Sequence, residues 1–381
     1  MRYSDNGILK DFARTESLQR ENGKEVIMTK IKALVAMSGG VDSAVAALLL
    51  KNDFDLTGIT MRLWSEREML SDDNNITPDQ NAVDAKIIAD RLGFSHLTVA
   101  LGDSFRKNVV DKFIEDYRNG KTPNPCVECN KKLKFGKLFD IADELEIPFL
   151  ATGHYANIVK SSLGYLLKKA ADEKKDQSYF LWSIKKERLP FILFPLGNYT
   201  KTQIRELALE NGFESAHRSD SQDICFIPDG DYISFIEKYA SPEFKEGNFI
   251  DTDGKILGRH KGLERYTIGQ RKGLGIALGA PMFVGAKNVA DNTVTLCSDR
   301  ELYSHSLTAS SLNFLVDIPL DTPVRLETKI RYRHTPAVAT VEKIGEDRIS
   351  VHFDLPQRAI SPGQSVVLYD GDTVIGGGII E

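Results

Sequence analysis

Cysteine is scarce in this chain of 381 residues: there are four, Cys126, Cys129, Cys225 and Cys297. A secreted scaffold held by disulfides would need them far more densely, so that class is excluded and each thiol must be core filler, ligand or reagent. Long apolar runs are missing too. No stretch approaches the ~20 residues of a membrane-spanning helix, and no charged-then-apolar leader opens the sequence. A reduced, cytoplasmic setting away from membranes is therefore expected. Nor is positive charge in excess. The net charge of −5 argues against a bulk electrostatic grip on nucleic acid but leaves room for a local basic surface. No long-period repeat is present. What remains, 41% hydrophobic and 27% charged, is the composition of a globular protein with roughly two or three domains.

The most informative stretch is Ile31 to Ser43, IKALVAMSGGVDS. Ile31 to Met37 reads as a buried strand, Ser38-Gly39-Gly40 as a tight turn, and Val41-Asp42-Ser43 as the opening of a helix. Strand, glycine turn and helix N-terminus make a phosphate cradle, because backbone N–H groups converge there and the helix dipole favours an anion. Glycine lets the backbone adopt positive φ and approach a ligand without a Cβ in the way. A Walker A loop is longer and ends in Gly-Lys-[Ser/Thr]; here no lysine is present and an acid, Asp42, sits on the first turn. A carboxylate beside a phosphate suits a divalent cation lying between them. The hexapeptide SGGVDS resembles the signature of the ATP-pyrophosphatase (PP-loop) enzymes, which cleave ATP between its α and β phosphates. That superfamily includes GMP and NAD synthetases as well as tRNA thiolases, and the loop alone does not choose among them.

The first half alternates strands and helices. Strands are expected at Leu56 to Trp64, at HLTVAL and at PFLATGHY; helices at 79–92, 104–118, 132–146 and from Lys201 to Glu210. This order implies an α/β domain with a parallel sheet, whose ligands bind beyond the strand C-terminal ends, where SGG, Met61 and Gly153-His154 fall. Residues 220–285 are glycine-rich and irregular. The last hundred or so residues carry short alternating segments such as TVTLC, RLETKIRYR, RISVHF and SVVLY between turn signals, the pattern of a small β-barrel. The expected division is an N-terminal extension (1–30), a catalytic PP-loop domain (31–218), a small central domain (219–287) and a C-terminal β-barrel (288–381).

A second signal is KTPNPCVECNKKLKF. Pro123 and Pro125 stiffen an extended loop around Asn124. Cys126 and Cys129 follow, just before a helix expected to begin near Lys131, so a thiol there should have a lowered pKa. Cys225 lies far along the chain in SDSQDICF. A zinc site would need two further ligands, with His154 or Cys225 available to complete it, and a thioredoxin-type CxxC would need its own small fold. Cys297 reads as buried core. GLGIALG, at 273–279, is spaced differently from a dinucleotide fingerprint and follows no convincing strand.

With SGGVDS in place, the ordered motifs TPNPxxxCN, ATGHY, KDQSYFL, SQDICF, YTIGQRKGLGI and RYRH resemble the tRNA-specific 2-thiouridylases, the MnmA/TrmU family, over residues 30–381. The resemblance implies that ATP adenylylates O2 of the wobble uridine, releasing pyrophosphate, and that a cysteine persulfide then delivers sulfur to C2 as AMP leaves. It implies ATP with Mg2+ as cofactors, tRNAs for Lys, Glu and Gln as substrates, and a sulfur-donor protein such as a cysteine desulfurase. Motif by motif, Cys129 corresponds to the nucleophile and Cys225 to the persulfide carrier, a pair that can also form a disulfide. ATP contacts fall on Ala36, Met37, Ser38, Gly39, Gly40, Val41, Asp42, Ser43, Met61 and Gly153. Contacts to tRNA fall on Asn124, Pro125 and Cys126 around the target base, and on His154, Lys175, Asp176, Gln177, Arg331, Tyr332 and Gln364. The chain departs from many family members at Cys126, where Asp is common. Basic clusters accompany these positions: Lys131, Lys132, Lys134 and Lys137; Lys168, Lys169, Lys174 and Lys175; and Arg325, Lys329, Arg331 and Arg333 on an expected strand. An amide ligase of the GMP or NAD synthetase kind would need neither the paired loop cysteines nor a basic barrel. A non-catalytic tRNA-binding relative is the other alternative.

Overall fold

The computed structural model describes residues 30–63, 79–217, 224–227, 229–239, 244–277 and 279–381. Residues 1–29, Trp64, Ser221 to Asp223 of the SQDICF motif, and Leu278 lie outside the described residues. The described chain divides into two compact units, one of residues 30–106, 129–217 and 372–374, the other of 107–128, 224–371 and 375–381.

In the first unit the apolar run Ile31–Ala36 forms β1, buried at Ala33, Leu34 and Val35. It is followed by helix α1 (Val41–Leu50), β2 (Phe54–Arg62), α2 (Gln80–Leu92) and β3 (Ser95–Ala100). Two longer helical runs come next in the chain, α3 (102–118) and α4 (125–144), each with an internal stretch of wide π-type turns; residues 107–118 of α3 and 125–128 of α4 belong to the second unit. The short strands β4 (Phe149–Ala151) and β7 (Ile192–Leu193) complete a five-stranded sheet in the order β3-β2-β1-β4-β7. Every pairing in it is parallel. The chain runs outward from β1 through β2 to β3, then returns to the other side of β1 as β4. That reversal leaves a crevice at the C-terminal ends of β1 and β4. The β5 (Asn157–Ser161) and β6 (Gly164–Lys168) hairpin and helix α5 (Lys201–Glu210) belong to the same unit. Helix α5 starts with a capping box between Thr200 and Gln203. Ala44 to Ala47 and Leu50 of α1 pack with Phe54, Phe149 and Leu193 in one core.

The second unit holds helix α6 (Tyr232–Tyr239) and two sheets. One sheet has the order β10 (Phe283–Asn288), β11 (Thr293–Cys297), β8 (Gly247–Ile250), β9 (Ile256–His260), around Phe249, Leu263, Tyr266, Val284 and Leu296. In the other, β12 (Tyr303–Phe314), β15 (Arg348–Arg358), β14 (Ala337–Gly345), β13 (Val324–Lys329), β16 (Ser365–Asp370) and β17 (Thr373–Ile380) run in that order. Strand β17 pairs back to β12 antiparallel, closing a barrel and leaving it without free edges.

Four local expectations change. The cysteine helix begins at Pro125, not near Lys131, because proline at the first helical turn loses no hydrogen bond. The ATGHY strand stops at Ala151. The strand read through RLETKIRYR ends at Lys329; Arg331 then accepts from the His334 amide in a turn, so Arg331 and Arg333 do not share a strand face with Arg325 and Lys329. TVTLC, read as part of the final β-module, is β11, parallel to β8 and antiparallel to β10 in the other sheet.

Candidate active site

At the end of β1 the chain turns through Ser38, Gly39 and Gly40 into α1. Gly39 has φ +70°, and a methyl there would lie 2.8 Å from the Asn81 carbonyl oxygen and 2.9 Å from Asp84 Cβ, so only glycine fits. No side chain caps α1 at Gly40. Ser43 Oγ instead folds back to donate to the Gly40 carbonyl at 3.0 Å and accepts from the Ser38 amide at 3.2 Å, fixing the loop's shape. A helix N-terminus without a side-chain cap, reached over two glycines, is a receptor for phosphate oxygens. Gly153 follows β4 on the opposite side of the crevice. A methyl there would sit 2.9 Å from the Asp42 carbonyl carbon and 3.0 Å from the Ser43 amide, so this glycine lets the two loops meet.

Asp42 is clasped. Lys201 Nζ donates to both its carboxylate oxygens at 2.8 Å, and Tyr155 Oη donates to Oδ1 at 2.7 Å. Lys201 occupies the first turn of α5, where the helix dipole disfavours a cation; the Asp42 carboxylate offsets that. Neither Lys201 nor Tyr155 carries a motif signal of its own for this role, although Tyr155 closes ATGHY. Among the described residues no group of three or more His, Cys, Asp or Glu side chains could hold a metal ion. Asp42 is the carboxylate on the first helical turn beyond the glycine loop, and a cation bound there would have to displace Lys201.

His154 is buried, 7% exposed, between Phe135 and Phe194. Lys134 lies 3.3 Å from Nε2, and since an ammonium only donates, Nε2 accepts and Nδ1 carries the proton that goes to Thr152 Oγ1 at 2.7 Å. Burial, reinforced by the Lys134 charge, pushes the pKa of His154 well below its ordinary value. Asp176 is equally buried: it accepts from the Ala170 and Ser178 amides and the Ser178 hydroxyl. Gln177 holds the Tyr155 amide at 2.9 Å. The side chains of His154, Asp176 and Gln177 are thus engaged inside the unit that carries the glycine loop.

The two cysteines of α4 have opposite surroundings. Cys126, on the first turn, is exposed, whereas Cys129, one turn on, is buried. Burial pushes the Cys129 thiol up, with Lys134 pulling weakly the other way. The lowered pKa expected for a thiol ahead of a helix therefore fails at Cys129, because the helix starts earlier and carries this residue into the core. Cys225 is exposed and Cys297 is buried. The glycine loop, Met61, Cys129, Gly153, His154 and residues 175–177 belong to the first unit, and Asn124, Pro125, Cys126, Cys225, Arg331, Tyr332 and Gln364 to the second.

Of the basic residues, Lys131 and Lys132 are exposed on α4. Lys137 pairs with Asp140, Lys168 with Asp372 and Arg325 with Asp354. Lys329 lies over the Tyr332 ring and Arg331 donates to the Arg358 carbonyl.

A parallel sheet with a glycine loop at its switch point, followed by a small sheet and a closed barrel, defines a multidomain nucleotide-loop protein. Family models agree segment by segment. Residues 31–229 match the tRNA methyl transferase HUP domain, 233–298 the tRNA methyl transferase PRC-barrel domain, and 304–380 the aminomethyltransferase beta-barrel domain. The tRNA-specific 2-thiouridylase MnmA of Clostridioides difficile is 45% identical over 353 residues, covering 92% of this chain and 98% of that protein. Its namesake in Acetivibrio thermocellus is 45% identical over 359 residues, 93% and 100% of the two chains. That of Treponema denticola is 44% identical over 362 residues, 92% and 98%. The chain belongs to the MnmA family of tRNA-specific 2-thiouridylases.

Proposed function

We propose that this protein is a tRNA-uridine 2-sulfurtransferase that converts the wobble uridine of tRNAs for Lys, Glu and Gln to 2-thiouridine in the cytoplasm. The observation that carries this reading is the uncapped glycine cradle between β1 and α1, closed by Gly153, in a chain so similar to 2-thiouridylases. A carbonyl oxygen is a poor leaving group, so it must first become a phosphate ester. Uridine O2 attacks the α-phosphorus of ATP, and pyrophosphate departs from the cradle formed by Ala36 to Ser43 with Met61 and Gly153 nearby. A Mg2+ ion carried in with the nucleotide would meet the Asp42 carboxylate only once Lys201 releases it. The Cys225 persulfide then supplies sulfur to C2, the C2–O2 bond breaks and AMP leaves. Cys129 attacks the persulfide's inner sulfur, releasing the outer one as the C2 thiocarbonyl sulfur and leaving a Cys129–Cys225 disulfide for an external thiol to reduce. Lys134 is the cation that favours a Cys129 thiolate.

Asn124, Pro125 and Cys126 meet the unstacked target base, whose Watson–Crick edge must be exposed for chemistry at C2. Arg331 and Tyr332, with the exposed Lys131 and Lys132, supply contacts to the RNA backbone. Sulfur arrives from a donor protein of the cysteine-desulfurase type. No helix among the described residues is long and apolar enough to cross a membrane, as suits an enzyme acting on free tRNA.

Incubating the full chain with ATP, a persulfide donor and unmodified tRNA, then digesting the RNA for mass spectrometry, tests the proposal. The expected product is 2-thiouridine in place of uridine, dependent on ATP; unmodified uridine under these conditions with a competent donor would overturn it.

A further inference from the structure

Three successive backbone carbonyls directly precede Asn124-Pro125-Cys126, and all three are held by side chains from distant parts of the same unit. Gln364 Nε2 donates to the Thr122 carbonyl at 2.8 Å and to the Pro123 carbonyl at 3.3 Å. Lys287 Nζ lies 3.5 Å from the Lys121 carbonyl and 2.8 Å from that of Tyr266. The backbone tightens the same contact: the Thr122 amide donates to the Pro362 carbonyl at 2.8 Å. Gly363 has φ +90°, and a methyl there would lie 2.9 Å from Lys121 Cβ and 3.1 Å from the Thr122 nitrogen, so the loop before β16 presses directly on the segment. On the other side Gly120, φ +70°, leaves 3.2 Å for a methyl against Val289. The Lys287 ammonium also faces the Tyr117 ring at 6.0 Å, and that ring stacks on Tyr232 at 4.6 Å. Burial lowers the Lys287 pKa to about 8, with Glu264 pulling the other way, which marks this ammonium as withdrawn from solvent.

Gln364 is expected from the family resemblance to touch tRNA. Its amide group has two N–H donors, and loop carbonyls occupy the directions in which they point, so donation to an RNA phosphate would require the loop to be released first. We propose that Gln364 and Lys287 are positioning residues, a two-point clamp on the 121–123 backbone that holds Asn124-Pro125-Cys126 in the shape the target base meets. The inference rests on the proposed reading that this segment contacts the base.

The test uses the full chain with Gln364→Leu, Gln364→Glu and Lys287→Met. Steady-state thiolation, equilibrium tRNA binding and amide hydrogen exchange over residues 119–127 are measured for each. Misplacing a reacting group by an ångström can cost about 100-fold, so a 10- to 100-fold fall in kcat is expected, with tRNA Kd changed less than about twofold. Exchange over 119–127 should quicken at least about tenfold while barrel amides keep their protection. Gln364→Glu nearly preserves shape but turns an acceptor toward two carbonyls, so it should lose more than Gln364→Leu; equal tolerance of both would leave no role for the donors and overturn the clamp. A tenfold weaker tRNA Kd with kcat retained would make Gln364 an RNA contact instead. Unchanged exchange over 119–127 would also overturn the proposal. If the wild-type chain makes no 2-thiouridine, the activity reading fails by itself, and the exchange measurement still decides whether the clamp exists.

Discussion

The glycine loop and the cysteine helix solve different problems with different materials. At the loop the working groups are backbone amides, and their placement follows from β1, two glycines and the start of α1, with neighbours too close to allow a Cβ at Gly39 or Gly153. At the helix the working groups are thiols, and a thiol's reactivity depends on its surroundings more than on its position in the chain. Cys126 and Cys129 share one short helix, yet one is exposed and the other is buried with its thiol pushed up. The backbone bend is therefore complete as folded, whereas the buried Cys129 thiol becomes reactive only when charge or solvent reaches it.

The comparison is broken most decisively by separating the two half-reactions. Cys129→Ala and Cys225→Ser should each reduce 2-thiouridine formation by at least about 1,000-fold, the scale seen when a nucleophile is removed. Both should retain nucleotide binding, measured by equilibrium dialysis with ATP; loss of ATP binding would tie the regions together. Gly39→Ala should do the reverse. Strain at positive φ and contact with the α2 backbone together cost about 1–3 kcal/mol, so ATP affinity should fall roughly 10- to 100-fold while the rate at which Cys126 reacts with a thiol reagent stays the same.

Asp42→Asn is expected to act on the cradle through Lys201, whose side chain is 11% exposed and would lose its carboxylate partner. Removing the carboxylate charge from that pair should lower stability by about 1–2 kcal/mol, less than for a fully buried pair because Asp42 is partly exposed, and denaturant titration checks this. An effect of comparable size, seen only on acidification, concerns His154, whose folded-state pKa is depressed by burial and by Lys134. Well above pH 6.5 neither the folded nor the unfolded chain protonates it. As pH falls below that value the unfolded chain takes up a proton that the folded chain refuses, so stability declines until the folded-state pKa is reached. The contribution approaches about 1.4 kcal/mol per pH unit. His154→Gln should lose this component of the acid slope in denaturant midpoints between pH 6.5 and 5; an unchanged slope would show that His154 protonates freely.

Much of the scaffold was legible in the chain because it is encoded by local patterns. The buried run before SGGVDS, the strand–helix alternation up to α5 and the short strands of the barrel each announce themselves by periodicity and turn residues. What failed was terminal detail. The proline that stiffens KTPNPC also begins the helix, which carried Cys129 inward, and RLETKIRYR breaks at a turn that its alternating pattern does not reveal. Lys201, Tyr155 and Lys287 went unnoticed because an isolated polar residue gains its meaning from a partner far along the chain: Lys201 meets Asp42 across 159 positions and Lys287 meets Lys121 across 166.

The amino-acid order by itself determined the two local features on which the proposed chemistry rests, a glycine bend between strand and helix and a set of thiols, since both depend on residues adjacent in the chain. Only the tertiary structure decided which thiol is shielded, which carboxylate is already paired and which carbonyls are gripped by Gln364 and Lys287. Burial and long-range partners set charge states and orientation, and neither exists until distant segments pack together.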